Sequence, residues 1–185
     1  MTGLNSVATA TKRRVRQAGL TLAETLLVLA IGALAIVGGT LLYLQATAGN
    51  KLNTGINQFV TLQSGIRSLY AGQSNYAGLT DTLLTKANAA PSDMVVSTGT
   101  LRNAWGGDVV AATATGGDQF TILFEQVPNN ACVKLITLNP GGTGGSGLAD
   151  VDVGGTSIAL PVTTATAVGA CNSAADDNDI TWTFN

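Results

Sequence analysis

Apolar residues run without a charged interruption from Thr25 to Leu44, then thin into a helical repeat, and beyond Pro91 shorten into strand-length clusters. The first stretch approaches the roughly 20 residues that a bilayer-crossing helix requires. Downstream, Leu52, Ile56, Phe59, Ile66 and Leu69, with Val60 and Tyr70 alongside, return at helical spacing, while Asn53, Asn57, Gln58, Thr61, Ser64 and Arg67 fill the other faces. The pattern predicts one long helix in two halves, apolar all round over residues 20–44 and amphipathic over 45–71. The second half should lay one face on a globular head. The first half cannot stay in water, so it belongs in a bilayer or in a bundle of like helices. Gly32, Gly38 and Gly39 interrupt it, each at a helix cost of about 0.8–1 kcal/mol relative to alanine. The pair at 38–39 marks either a point of unwinding or a close approach between helices.

Residues 72–185 read as the head. Thr80-Asp81 before Thr82-Leu83-Leu84-Thr85-Lys86-Ala87, with Pro91 beyond, predicts a short helix. Met94-Val95-Val96, Val109-Val110-Ala111, Phe120-Thr121-Ile122-Leu123-Phe124 and Ile180-Thr181-Trp182-Thr183-Phe184 are β-branched or aromatic runs bounded by Gly, Asn and Asp, and predict an antiparallel sheet. Ala131–Ile136 fits strand or helix, and the Pro128-Asn129-Asn130 lead favours helix. Residues 151–160 suit a further strand or hairpin.

The start of the chain adds charge to this pattern. Lys12, Arg13, Arg14 and Arg16 precede the apolar run, which keeps the first residues cytoplasmic and delivers the rest into or across a membrane. Glu24 is the anomaly: a carboxylate at the start of a membrane helix costs about 2–4 kcal/mol on insertion scales and calls for a partner. Gly19-Leu20-Thr21-Leu22-Ala23-Glu24 followed by the apolar run resembles the cleavage and assembly motif of type IV prepilins. The resemblance implies a peptidase cut between Gly19 and Leu20, an N-methylated Leu20, and a Glu24 that pairs with the terminal amine of a neighbouring subunit. Two opposite charges at one apolar boundary bury each other at least cost. An ordinary signal peptide would cut after Ala46-Thr47-Ala48, but its apolar core runs only about 7–15 residues. A simple one-pass membrane protein leaves Glu24 unexplained.

Of the nine Lys and Arg, five follow the proposed cut against eleven acids, a side-chain balance of −6. An acidic surface does not attract polyanions, so direct nucleic-acid binding is not expected. The two cysteines, Cys132 and Cys171, both fall in the exported part. A disulfide closing a loop of about forty residues contributes roughly 3–4 kcal/mol, with two buried thiols as the alternative. No histidine occurs, which removes Ser-His and Cys-His nucleophile pairs and the usual zinc sets, so no catalytic residue, metal or cofactor is expected. Residues 140–147 form a Gly-rich run without the Lys-Ser/Thr of a phosphate loop. Asp176-Asp177-Asn178-Asp179 suits a solvated turn better than a calcium site. Asn103-Ala104-Trp105-Gly106-Gly107 suggests a buried indole beside a tight turn, or a subunit contact.

The head strengthens the resemblance. Ser68-Leu69-Tyr70-x-Gly72-Gln73-x-x-Tyr76-x-Gly78-Leu79, the Asn103–Gly107 motif, Val127-Pro128-x-x-Ala131-Cys132 and Cys171-Asn172 before a last strand are similar to the type IVb pilins. Those include subunits of bundle-forming, toxin-coregulated and conjugative thin pili. Leu20, where the other pilin subclass has phenylalanine, points the same way. The resemblance implies an α+β type IV pilin fold, a long N-terminal helix on an antiparallel sheet with a disulfide-closed C-terminal region, divided as leader 1–19, core helix 20–44, its continuation 45–71 and head 72–185. It further implies a homo-oligomeric helical filament, a prepilin peptidase and inner-membrane assembly machinery as partners. The precursor would sit in the inner membrane and the mature subunit in a surface pilus, on a Gram-negative cell. A pseudopilin of a type II-like secretion machine is the alternative.

Overall fold

The computed structural model describes residues 21–138 and 147–185. The chain divides at Leu44 and Gln45 into an N-terminal unit and a globular unit. One 48-residue helix, α1 (Leu22–Leu69), supplies elements of both. Among the described residues the globular unit adds α2 (Asp81–Lys86), α3 (Asn129–Thr137), α4 (Thr164–Ala170) and seven strands.

The strands are β1 (Val95–Ser97), β2 (Thr100–Arg102), β3 (Asp108–Thr113), β4 (Phe120–Val127), β5 (Leu148–Val153), β6 (Thr156–Ile158) and β7 (Asn178–Phe184). They form one antiparallel sheet in the order β1-β2-β3-β4-β7-β5-β6. Alternation decides which face is covered: along β4 and β7, Phe120, Ile122, Phe124, Ile180, Trp182 and Phe184 are buried, while the intervening residues are not. The part of α1 that belongs to the globular unit lies on that face. Phe59 places its ring 4.5 Å from Trp182, 5.9 Å from Phe124 and 6.0 Å from Phe184, an aromatic cluster in which each pair adds about 0.5–1.5 kcal/mol beyond the area it buries.

The register between β4 and β7 shifts between Phe124 and Val127, where Gln126 adopts φ +56°. A bulge frees a backbone N–H, and here Gln126 N donates to Asp179 Oδ1 at 3.2 Å. The acidic tract is bonded to the chain's own groups at its other positions too. Asp176 Oδ1 accepts from Asn129 N at the head of α3, Asp177 Oδ1 accepts from Ser173 Oγ, and Asn178 donates to Val127 O. Among the described residues no three of His, Cys, Asp or Glu gather as a metal site.

The amphipathic face of α1 differs from the expected one. Gly55, Gln58, Phe59, Leu62, Gln63 and Ile66 are its buried residues, whereas Val60 is exposed. Buried Gln58 donates through Nε2 to Asp93 Oδ2 at 2.8 Å. Arg67 is half-buried, with its guanidinium 5.8 Å and 5.9 Å from the Phe120 and Phe184 ring centres and a hydrogen bond to Asn185 O. Its flat cation stacks where an ammonium would need water.

Candidate assembly surface

Thr21 opens α1. Its carbonyl accepts from the N–H groups of Glu24 and Thr25, and its Oγ1 accepts from Glu24 N at 3.3 Å. Thr-x-x-Glu is a helix-start pattern, so Glu24 suits its position even in the single chain. Its negative charge sits in the first turn, where the helix dipole favours it. The side chain is exposed. Gly19 and Leu20 lie outside the described residues.

From Leu22 to Leu44 the helix offers apolar surface on every side. Leu22 is 82% exposed, Leu34 73% and Ile36 69%. Its most apolar window has a mean hydropathy of 2.4 with nothing buried, long and apolar enough to cross a membrane. The helix is unbroken at Gly38 and Gly39, where an added Cβ would meet nothing within 4 Å, and Thr40 Oγ1 binds back to Val37 O at 2.8 Å. Each such Leu, Ile or Val contributes about 1.5–3 kcal/mol when taken fully out of water. This surface therefore carries a far larger driving force than one ion pair.

The head is fastened to its part of α1 by close backbone approaches. A Cβ on Gly65 would lie 2.0 Å from Ala89 O, and one on Gly55 would lie 2.4 Å from the Trp105 ring. Trp105 is thus half-buried against the helix; the fully buried indole is Trp182. The buried side chain of the Asn103–Gly107 motif is that of Asn103. Its Oδ1 accepts from Trp105 N and Gly107 N, and its Nδ2 donates to Glu125 O at 2.7 Å. A short polar side chain reinforces the turn's own backbone bonds, Gly106 N to Asn103 O and Asn103 N to Gly107 O, and the turn presents Trp105 to Gly55 of α1.

Cys132 of α3 and Cys171 after α4 form a disulfide with Cα atoms 5.8 Å apart, both residues buried. It joins two short helices that have no strand ladder between them. Asp81, in the first turn of α2, accepts from Ala111 N at 2.8 Å, and burial raises its pKa while that hydrogen bond opposes the rise. β2 pairs only as far along β3 as Asp108 and Val109, so the carboxylate closes the β3 edge beyond it.

Residues 50–185 match the sequence-family model described as PilS N terminal. The major structural subunit of the bundle-forming pilus of Escherichia coli O127:H6 is 30% identical over 178 residues, covering 89% of this chain and 92% of that one. The same-named protein of E. coli O111:H- is 32% identical over 126 residues, 66% of this chain and 65% of that one. A crystal structure of the type IV b pilin from Salmonella typhi superposes with TM-score 0.58 at 28% identity, over 72% of this chain and 97% of the other. An NMR structure of the Salmonella typhi type IVb pilin PilS gives 0.50 at 26% identity, over 72% and 96%. A long N-terminal helix, an antiparallel sheet and a C-terminal disulfide occur together with these matches, and the chain belongs to the type IVb pilin family.

Proposed function

We propose that this chain is the precursor of the major structural subunit of a surface pilus. The leader ends at Gly19, a prepilin peptidase exposes the Leu20 amine, and that amine becomes N-methylated. The processed subunit waits in the inner membrane of a Gram-negative cell by its apolar helix, then is drawn into a homo-oligomeric helical filament by the assembly machinery. The observation that carries this reading is the wholly exposed apolar surface of residues 22–44 preceding a folded, disulfide-closed unit. Such a surface is stable only in lipid or against its own kind.

In the filament, Glu24 meets the Leu20 amine of a neighbour. The apolar packing supplies cohesion and the charge pair sets register, because a buried ion pair adds little net energy but penalises misalignment strongly. The subunit's work is structural, and no cofactor enters it. Family membership favours a fibre subunit over the pseudopilin alternative. Mass spectrometry of sheared filaments tests the reading: the chain should begin at Leu20, and a chain beginning at Gly49 would overturn it.

A further inference from the structure

The globular unit is acidic overall, yet the part that follows the apolar segment is not. From Gln45 to Thr80 the sequence holds Lys51 and Arg67 and no Asp or Glu. α3 brings Lys134 to the same place: a groove of about 250 Å³ runs between Gln45, Gly49 and Leu52 of α1 and Asn130 and Lys134 of α3, with no carboxylate in its lining. Lys51 and Lys134 are both exposed, and among the described residues neither makes a salt bridge. The acids on adjoining elements are engaged: Asp176 accepts from Asn129 N, and Asp93, which shares a second cleft with Lys51, accepts from Gln58.

We propose that this groove holds the phosphate of an anionic lipid headgroup while the subunit waits in the membrane. The proposal rests on the reading that residues 20–44 cross the bilayer. Chain connectivity then fixes the depth, because Gln45 follows Leu44 directly and Gln45–Leu52 advance only about 12 Å at helical rise. That is close to the headgroup layer, about 5–8 Å thick on each side. An ammonium offers three N–H donors and no acceptor, and the Gln45 and Asn130 amides add donors, a set matched to phosphate oxygens. Leu52 and the Lys134 stem give the lipid glycerol region an apolar wall. The lipid gives the waiting subunit a second hold on the bilayer, released when the helix leaves for the filament.

The test places the full chain in vesicles of phosphatidylcholine, alone or mixed with phosphatidylglycerol, and measures acylation of each lysine by a membrane-impermeant ester. Lys86, at the end of α2 and away from the groove lining, is the internal reference. With phosphatidylglycerol, Lys134 should react about fivefold more slowly relative to Lys86, and high salt should shrink the difference. An unchanged ratio overturns the proposal. So does equal protection from inorganic phosphate in neutral vesicles, which marks a free-anion site, and so does protection that grows with protein density whatever the lipid, which assigns the groove to a second copy. Flotation separates the two levels: a chain that does not float with the vesicles refutes the membrane reading as well, whereas one that floats without lipid-dependent protection refutes only the lipid site.

Discussion

Two glycines of α1 permit a test of how the head is fastened to its helix. Gly55 and Gly65 lie in the same helix, so alanine at either gains about 0.8–1 kcal/mol of helix propensity. What differs is the obstacle. At Gly65 the new Cβ would stand 2.0 Å from Ala89 O and 3.0 Å from Ala89 C, both backbone atoms. Relief requires the 88–90 segment to withdraw by more than an ångström, which strains the Ala89 N–H bond to Leu84 O at 2.9 Å. Overpacking against atoms that cannot rotate away falls at the upper end of about 1–3 kcal/mol, so Gly65→Ala should lose about 1–2 kcal/mol net. At Gly55 the obstacle is the Trp105 ring at 2.4 Å and 2.7 Å, a half-exposed side chain that can swing outward. Its lost burial offsets the helix gain, and Gly55→Ala should stay within about 1 kcal/mol of the parent. Urea unfolding of the detergent-solubilised chain, followed by tryptophan fluorescence, reads both. With a slope of about 1–3 kcal/mol per molar, Gly65→Ala should bring the midpoint down by roughly 0.5–1 M without changing the slope. A Gly65→Ala midpoint equal to or above the parent's would falsify the claim that backbone contact at Ala89 fixes the head.

The other substitutions act on separate features. Cys171→Ser opens a cross-link of 39 residues; it should cost about 3–4 kcal/mol by the same urea assay, and non-reducing peptide maps should lose the joined Cys132–Cys171 peptide. Glu24→Ala should be processed at Gly19 yet yield few fibres by electron microscopy, since an unpaired buried ammonium costs about 3–5 kcal/mol; normal fibre counts would remove the assembly role. Asp81 has a raised pKa in the folded chain, so its favourable contribution is complete below the unfolded value and is lost as pH rises through the folded one. Asp81→Asn keeps an acceptor for Ala111 N without the charge and should be at least as stable as the parent at neutral pH, with the gap narrowing in acid. Asp81→Ala should lose about 1–3 kcal/mol at neutral pH by orphaning that N–H.

The elements legible in the sequence are those whose side chains decide their own conformation. Phe120–Phe124 and Ile180–Phe184 alternate large apolar with smaller residues and form the central strands β4 and β7; Pro128-Asn129-Asn130 announces α3. β2 is not legible, because Thr100–Arg102 is three residues long and owes its pairing to the turn at Gly99 and to partners on both sides. α4 is equally hidden: Thr164–Ala170 has little helical periodicity and is held by the Thr163 cap and the bond at Cys171. Gln58 and Arg67 resemble solvent-facing residues as long as polarity is read one residue at a time. Leu62 lies between Phe59 and Ile66 on one stripe, and that stripe predicts burial beside it, but the carboxylate and rings that make burial tolerable come from residues far along the chain. At the candidate assembly surface the sequence says more than the single chain does, since the proposed role of residues 22–44 lies in contacts between molecules.

The position of β7 constrains the order of events in the life of the subunit. This strand comes after every other strand in the chain, yet it is inserted between β4 and β5. Until residues 178–184 arrive, β1 to β4 and the β5–β6 hairpin are two fragments with no shared ladder, and the Phe59–Trp182 contact has no second member. Pairings of this sequence separation form slowly, after loop closure has been achieved. A head that still lacks residues 178–184 therefore has neither its central ladder nor the ring that closes its aromatic cluster. The last strand of the chain is thus the keystone of the sheet, and a chain that lost its final residues would lose the join between both halves rather than one edge.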